Sequence, residues 1–344
     1  MIWAIVSYFR AFGCYMKIRM LLMLALVPLL AGAQQAHTSE SIIKKLSLAG
    51  AVPEGLLAKR SVVVYEGPVT GKELNEIQKS FQQTGIDAVT YFPANRVLIG
   101  ADPQRAFANY LISRSIEFIV LIHKTQQAFT ITIVPFNGKP TLVNDQASGW
   151  QQRDAVLKEL LLTVYRFAVS NQKKQNFLIN DFPETGNTFK YYDGRRNEAY
   201  TTLVKTFKVA VPGTGNEKED ARLEQILKEY LPVKYEIVDA NLPEAELEIK
   251  GFKTIIRFVH TTGNIARELL EYDNSKVSAT LASAAVVNGE PQLKTFPAET
   301  VIYKFYIKQL DYGNLFLGNT WDADPDWQQA LINHLYLMRQ QLNY

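Results

Sequence analysis

Apolar residues along this chain gather in short runs separated by stretches of helical spacing. Residues 61–65 (SVVVY) form one such run. After a turn, Leu74, Ile77 and Phe81 recur at intervals of three and four, the period of a single buried helix face. A second run covers 87–92. The same succession returns further on, with strands near 207–211 and 233–238 around another amphipathic stretch. Short apolar strands alternating with helices of about 15 residues predict parallel strand–helix–strand units. The fold class expected is therefore α/β, or α+β.

The likeness between the two regions extends beyond the first unit. FIVLIHKT at 118–125 resembles IIRFVHTT at 255–262, each an apolar strand ending in a histidine and a later threonine. FTITIVPFNGKPTLV at 129–143 resembles YKFYIKQLDYGNLFL at 303–317, each a strand, a glycine-bearing turn and another strand. Trp150-Gln151-Gln152 and Trp327-Gln328-Gln329 then precede long helical patterns and are expected to open them. Four features in one order predict an internal duplication. His123 and His260 would then sit at the ends of equivalent strands, where ligands gather in open α/β sheets. They are candidate ligand-binding residues, expected to match on superposition with no metal joining them. The second half carries extra residues between His260 and Trp327.

These patterns divide the chain into a leader at 1–33, a first domain at 34–175, a connector at 176–206 and a second domain at 207–344. The first domain is expected to begin with a helix near Glu40 to Ala49. From Met16 the leader reads MKIRMLLMLALVPLLAGA: two bases, an apolar run, then Ala-Gly-Ala. That is the order of a secretory signal peptide with cleavage after Ala33, and its apolar run is shorter than the about 20 residues a membrane span needs. Residues 1–15 read as a mis-set start. Export changes the composition argument, because Arg10, Lys17 and Arg19 account for three of the 37 bases and the leader holds none of the 34 acids. The mature chain is formally neutral, without the basic stripe that nucleic-acid binding needs. The single cysteine, Cys14, also leaves with the leader, and thiol catalysis, cysteine zinc sites and intramolecular disulfides leave with it.

VVVYEGPVTGKELNEIQ, residues 62–78, comes close to a nucleotide-binding loop, but Gly67 and Gly71 enclose three residues rather than four. Glu73 stands where the magnesium-binding hydroxyl belongs. Thr70 and Glu73 fit a capping box instead, and Thr214 and Glu217 repeat it without the lysine. Asp322, Asp324 and Asp326 alternate as in a calcium loop, yet Trp327 and Asn333 fill the positions that need Gly and Glu. Asp324 before Pro325 reads as a helix N-cap. No Gly-x-Ser-x-Gly elbow or His-Glu-x-x-His helix occurs. His37 falls in the chain's beginning, and His334 reads as a surface or packing residue of the final helix. GRRNE at 194–198 offers Arg195 and Arg196 as an anion grip beside Tyr191, Tyr192 and Tyr200. No cofactor or metal is expected.

The expectation is an exported, non-enzymatic binding or assembly module of the cell envelope, taking an envelope protein or a small ligand and touching the membrane only through its signal peptide. A secreted or periplasmic hydrolase with its site at strand ends between the halves is the alternative. A degenerate nucleotide-binding loop is the third reading.

Overall fold

The computed structural model describes residues 38–344 except 178, 180–183, 185–188, 274–278 and 288. Residues 1–33, where the sequence predicts a signal peptide, and His37 lie outside the described residues. The fold is mixed α/β, built on two six-stranded sheets, and the described residues pack as one unit.

The first sheet contains β1 (Leu46–Leu48), β2 (Arg60–Glu66), β3 (Asp87–Pro93), β4 (Ile116–Lys124), β5 (Phe129–Pro135) and β6 (Ala147–Asp154), in the order β1-β6-β5-β4-β2-β3. The second contains β7 (Arg196–Asn197), β8 (Val209–Pro212), β9 (Tyr235–Val238), β10 (Thr254–Thr262), β13 (Val301–Gln309) and β14 (Leu315–Phe316), ordered β7-β14-β13-β10-β8-β9. Strand directions agree as well. Parallel pairs β1/β6, β2/β4 and β2/β3 answer to β7/β14, β8/β10 and β8/β9, and antiparallel β4/β5 and β5/β6 to β10/β13 and β13/β14. His123 and His260 lie on strands of equal position in their sheets. The ladders place His123 opposite Thr130 and His260 opposite Tyr303. Thr130, not Phe129, therefore corresponds to Tyr303, one residue from the sequence pairing.

Strand periodicity explains why the first sheet is covered on both faces. Val63, Val120, Ile131 and Ile133 point one way, into a core closed by helices α2 (Gly71–Thr84) and α5 (Leu157–Asn171). Val62, Val64, Ile119 and Leu121 point the other way, against α4 (Ala101–Ser113). Alternate strand residues face opposite sides, so an uninterrupted apolar run feeds two cores at once. Phe81 and Phe107 anchor the two helix layers and are fully buried. Each such side chain stabilises the fold by about 1.5–3 kcal/mol through area removed from water.

Elsewhere local chemistry departs from the sequence reading. The first helix, α1 (Ser39–Ile43), is shorter than expected, and the chain then enters β1 alongside β6. Trp150 does not open a helix: it lies in β6, fully buried against Phe167. Trp327 does begin one, α10 (Trp327–Gln341). The capping box at Thr70 and Glu73 has both of its bonds. The second helix, α7 (Glu217–Tyr230), is capped by Asn216, whose side chain accepts from the amides of Lys218 and Glu219. Thr214 is not the cap and Glu217 does not close a box, because the Thr214 hydroxyl is engaged with Asn216 and Asp220. Asp324 is likewise not the cap of α10. Asp326 accepts from the Gln328 amide, while Asp324 is buried, bridged to Tyr303 and paired with Lys294.

The connector joins the second half through β7 and α6 (Leu203–Thr206). The extra residues after His260 form α9 (Gly263–Leu269) and a hairpin of β11 (Thr280–Val287) and β12 (Glu290–Pro297). Two short helices complete the described fold: α3 (Ala94–Val97) after β3, and α8 (Glu244–Ile249) after β9.

Candidate functional site

The halves meet through main chain as well as side chains. Beyond its short pairing with β8, β10 runs along residues 95–100 of the first half. His260 N–H donates to the Ile99 carbonyl at 2.7 Å, and the Thr261 hydroxyl donates to the Asn95 carbonyl at 2.7 Å. Gly100 permits this approach, since a Cβ there would collide with the Phe258 carbonyl.

At this junction lies a cavity of about 390 Å³, lined by Tyr65, Glu66, Asn95, His260, Thr261 and Thr262 among others. It opens at the carboxyl ends of β2 and β3, and ligands of open α/β sheets gather outside the carboxyl ends of strands. The His260 ring stacks on Tyr303 with centroids 3.9 Å apart, and its Nδ1 lies 3.2 Å from the Ile302 carbonyl. A carbonyl only accepts, so Nδ1 carries the proton and Nε2 is left as an acceptor. Burial lowers the pKa of this histidine despite the carbonyl bond, which favours the neutral ring. Glu66 lies across from it on the first half, and His123 Nδ1 stands 3.4 Å from Glu66 Oε2.

The cavity thus gathers a carboxylate, one imidazole and several hydroxyl and amide groups. Glu66 and His260 share the cavity, while His123 stands outside its lining, beside Glu66. Among the described residues, no group of three or more His, Cys, Asp or Glu is placed to hold a metal ion. Gly67 makes the turn after Glu66 with φ +86°, and a Cβ there would strike the Lys124 carbonyl. The turn is shaped for close strand contact. Lys124 Nζ grips both Glu73 oxygens at 2.8 and 2.9 Å. Burial acts to raise the Glu73 pKa, but Lys124 and the Thr70 bonds prevail and hold it below the usual range. The position where a nucleotide loop needs a magnesium-binding hydroxyl is therefore an occupied carboxylate.

The remaining candidates lie elsewhere. Arg196 packs over the Tyr272 ring at 4.5 Å and pairs with Glu198 at 3.2 Å. Arg195 is exposed, with its amide tied to Asn314. Tyr192 meets Tyr306 edge-on, and it lines two further cavities beside the connector.

A buried cluster in the second half, built on Lys304 next to Tyr303 in β13, carries no signal in the sequence. Asp322 binds Lys304 Nζ at 2.7 Å and His334 Nδ1 at 3.0 Å, with all three side chains at most 1% exposed. Tyr200 reaches His334 at 3.2 Å, and Lys304 also donates to the carbonyls of Phe305 and Leu317. His334 is thus neither a surface residue nor simple packing. The three aspartates of the apparent calcium loop part company: Asp322 turns to this cluster, Asp324 to Lys294, and Asp326 to its helix.

The fold and the junctional cleft define an α/β protein of two sheets with one shared strand order. Compared with known proteins, its sequence matches no family model and no curated protein.

Proposed function

We propose that this chain is an exported binding module of the cell envelope that holds a small polar ligand between its two halves. The observation that carries the reading is that Glu66 of the first half and His260 of the second line one cavity. Concave sites with a few convergent polar groups at strand ends are the usual seats of small ligands. The leader supports export, and among the described residues no helix is long and apolar enough to cross a membrane. The shared strand order and directions support descent of the halves from one duplicated unit, whose two copies would create such a junction.

The test is a thermal-shift screen of sugars, amino acids, peptides and nucleosides, followed by calorimetry on any compound that stabilises the protein. A ligand of this cleft loses at least about tenfold in affinity in Glu66→Ala and in His260→Ala, the worth of a well-made buried polar contact. Arg195→Ala leaves it unchanged. A ligand indifferent to both cleft variants defeats the assignment.

One observation favours a second reading, a hydrolase. Glu66, with His123 beside it, and the acceptor nitrogen of His260 offer acid–base groups at one cleft. Turnover of chromogenic esters, glycosides or phosphates that disappears in Glu66→Gln would decide for the enzyme.

A further inference from the structure

A second cavity, of about 310 Å³, lies in the seam between α4, the connector and β13. Its floor is an ionic network that spans the two halves. Asp102, only 3% exposed, accepts from Tyr306 Oη at 2.7 Å, Lys308 Nζ at 2.8 Å and Arg105 Nη1 at 3.1 Å. Glu244 accepts from Lys308 at 3.1 Å, Arg105 Nη1 at 2.9 Å and Arg257 Nη2 at 3.2 Å. Three cations therefore share two carboxylates.

The groups that reach the cavity repeat the imbalance: Arg105, Lys190 and Lys308 against Asp102 and Asp193. Asp102 already accepts from three donors. Arg105 makes both of its ion pairs through Nη1, so the Nη2 and Nε donors of its fork remain for another acceptor. Lys190 Nζ donates to the Asp193 carbonyl and keeps further N–H groups. Asn109 and Ser113 stand on the same wall. Surplus charge and surplus donors converging on one recess are what a bound oxyanion requires.

We propose that this seam binds a small organic anion, a carboxylate or phosphate ester, held by Arg105 and Lys190 and backed by Lys308. At about 30 Å³ per water, the cavity has room for a ligand of about ten non-hydrogen atoms. The site is separate from the cleft of Glu66 and His260 and does not depend on it.

The experiment is calorimetric titration of the full chain with inorganic phosphate and with citrate, in low-salt buffer, against sodium chloride of matched ionic strength. Saturable binding of either probe beyond the chloride control is expected, and which probe binds tighter distinguishes phosphate from carboxylate recognition. Arg105→Gln should weaken it at least about tenfold. Because Arg105 also serves the ionic network, two exposed positions carry the test if that variant does not fold. Lys190→Gln should weaken binding, and Asn109→Asp, which sets a carboxylate on the cavity wall, should abolish it. Glu66→Ala should leave it intact. No saturable binding beyond chloride, or equal binding in Lys190→Gln and Asn109→Asp, overturns the proposal.

Discussion

Replacing Asp322 by asparagine should be among the most damaging conservative changes in this chain. The carboxylate is the shared partner of Lys304 and His334, at 2.7 and 3.0 Å, where none of the three is more than 1% exposed. An amide of the same shape removes the negative charge and leaves the ammonium in place. Lys304 keeps its two carbonyl acceptors at 2.9 and 3.0 Å, which solvate a cation without neutralising it. Breaking a buried ion pair from one side costs about 3–5 kcal/mol, against a total stability of about 5–15 kcal/mol for folded domains. Urea unfolding followed by far-UV circular dichroism should show a lower midpoint with an unchanged slope. Lys304→Met in the Asp322→Asn background should restore part of the loss, because no uncompensated ammonium is then buried. A single-variant loss below about 1 kcal/mol, or a double variant no better than the sum of its parts, refutes a strongly coupled pair.

The same cluster sets the direction of acid sensitivity. Burial lowers the His334 pKa, with Asp322 opposing, so its contribution is full above the unfolded value of about 6.5 and declines as pH falls below it. Burial would raise the Asp322 pKa, but Lys304 and His334 outweigh it, so its own contribution is full above about 3.9 and fades below. Urea midpoints should therefore fall between pH 7 and 5, less steeply in His334→Gln; equal slopes would remove His334 as the cause. Thr70→Ala, Asn216→Ala and Asp326→Ala should each cost about 1 kcal/mol as lost caps, while Lys72→Ala is silent. A loss at Thr214→Ala confined to capping, with Asn216→Ala silent, would reverse that assignment. Gly67→Ala should prevent folding or displace the strand end, since φ +86° and the Lys124 carbonyl both oppose a Cβ; a near-neutral thermal midpoint would contradict this geometry. N-terminal sequencing of the mature protein should begin at Gln34, and a start at Met1 or Met16 defeats the cleavage expectation.

What the sequence disclosed was local or periodic. Thr70 and Glu73 were legible because a capping box needs only four consecutive residues, and Val62 to Val64 because strand pattern is written in neighbours. The cap at Asn216 was misplaced by two residues, since two side chains in one turn compete for the same amides. Trp150 and Trp327 share a tripeptide but not a conformation, because pairing with β5 draws the first into a strand. The Glu66–His260 cleft and the Lys304–Asp322–His334 cluster join residues far apart in the chain. Only the packing of the two halves creates the first, and no spacing rule encodes the second. His123 and His260 stood out in the sequence by their place near strand ends, but Glu66 and Asn95 carried no signal of their own.

The contacts between the halves bear on how any ligand is received. Arg96 grips Glu268 with two bonds, Asp102 is anchored by Tyr306 and Lys308, and backbone joins backbone at Ile99 and His260. Parting the lobes would strand the buried charges of Asp102 and Lys308, so these contacts oppose a clam-like swing. Recognition in the cleft should then resemble a key meeting a fixed lock. Arrival would be limited by diffusion and orientation, little ordering entropy would be lost on docking, and differences between ligands would be written mainly in how long each one stays.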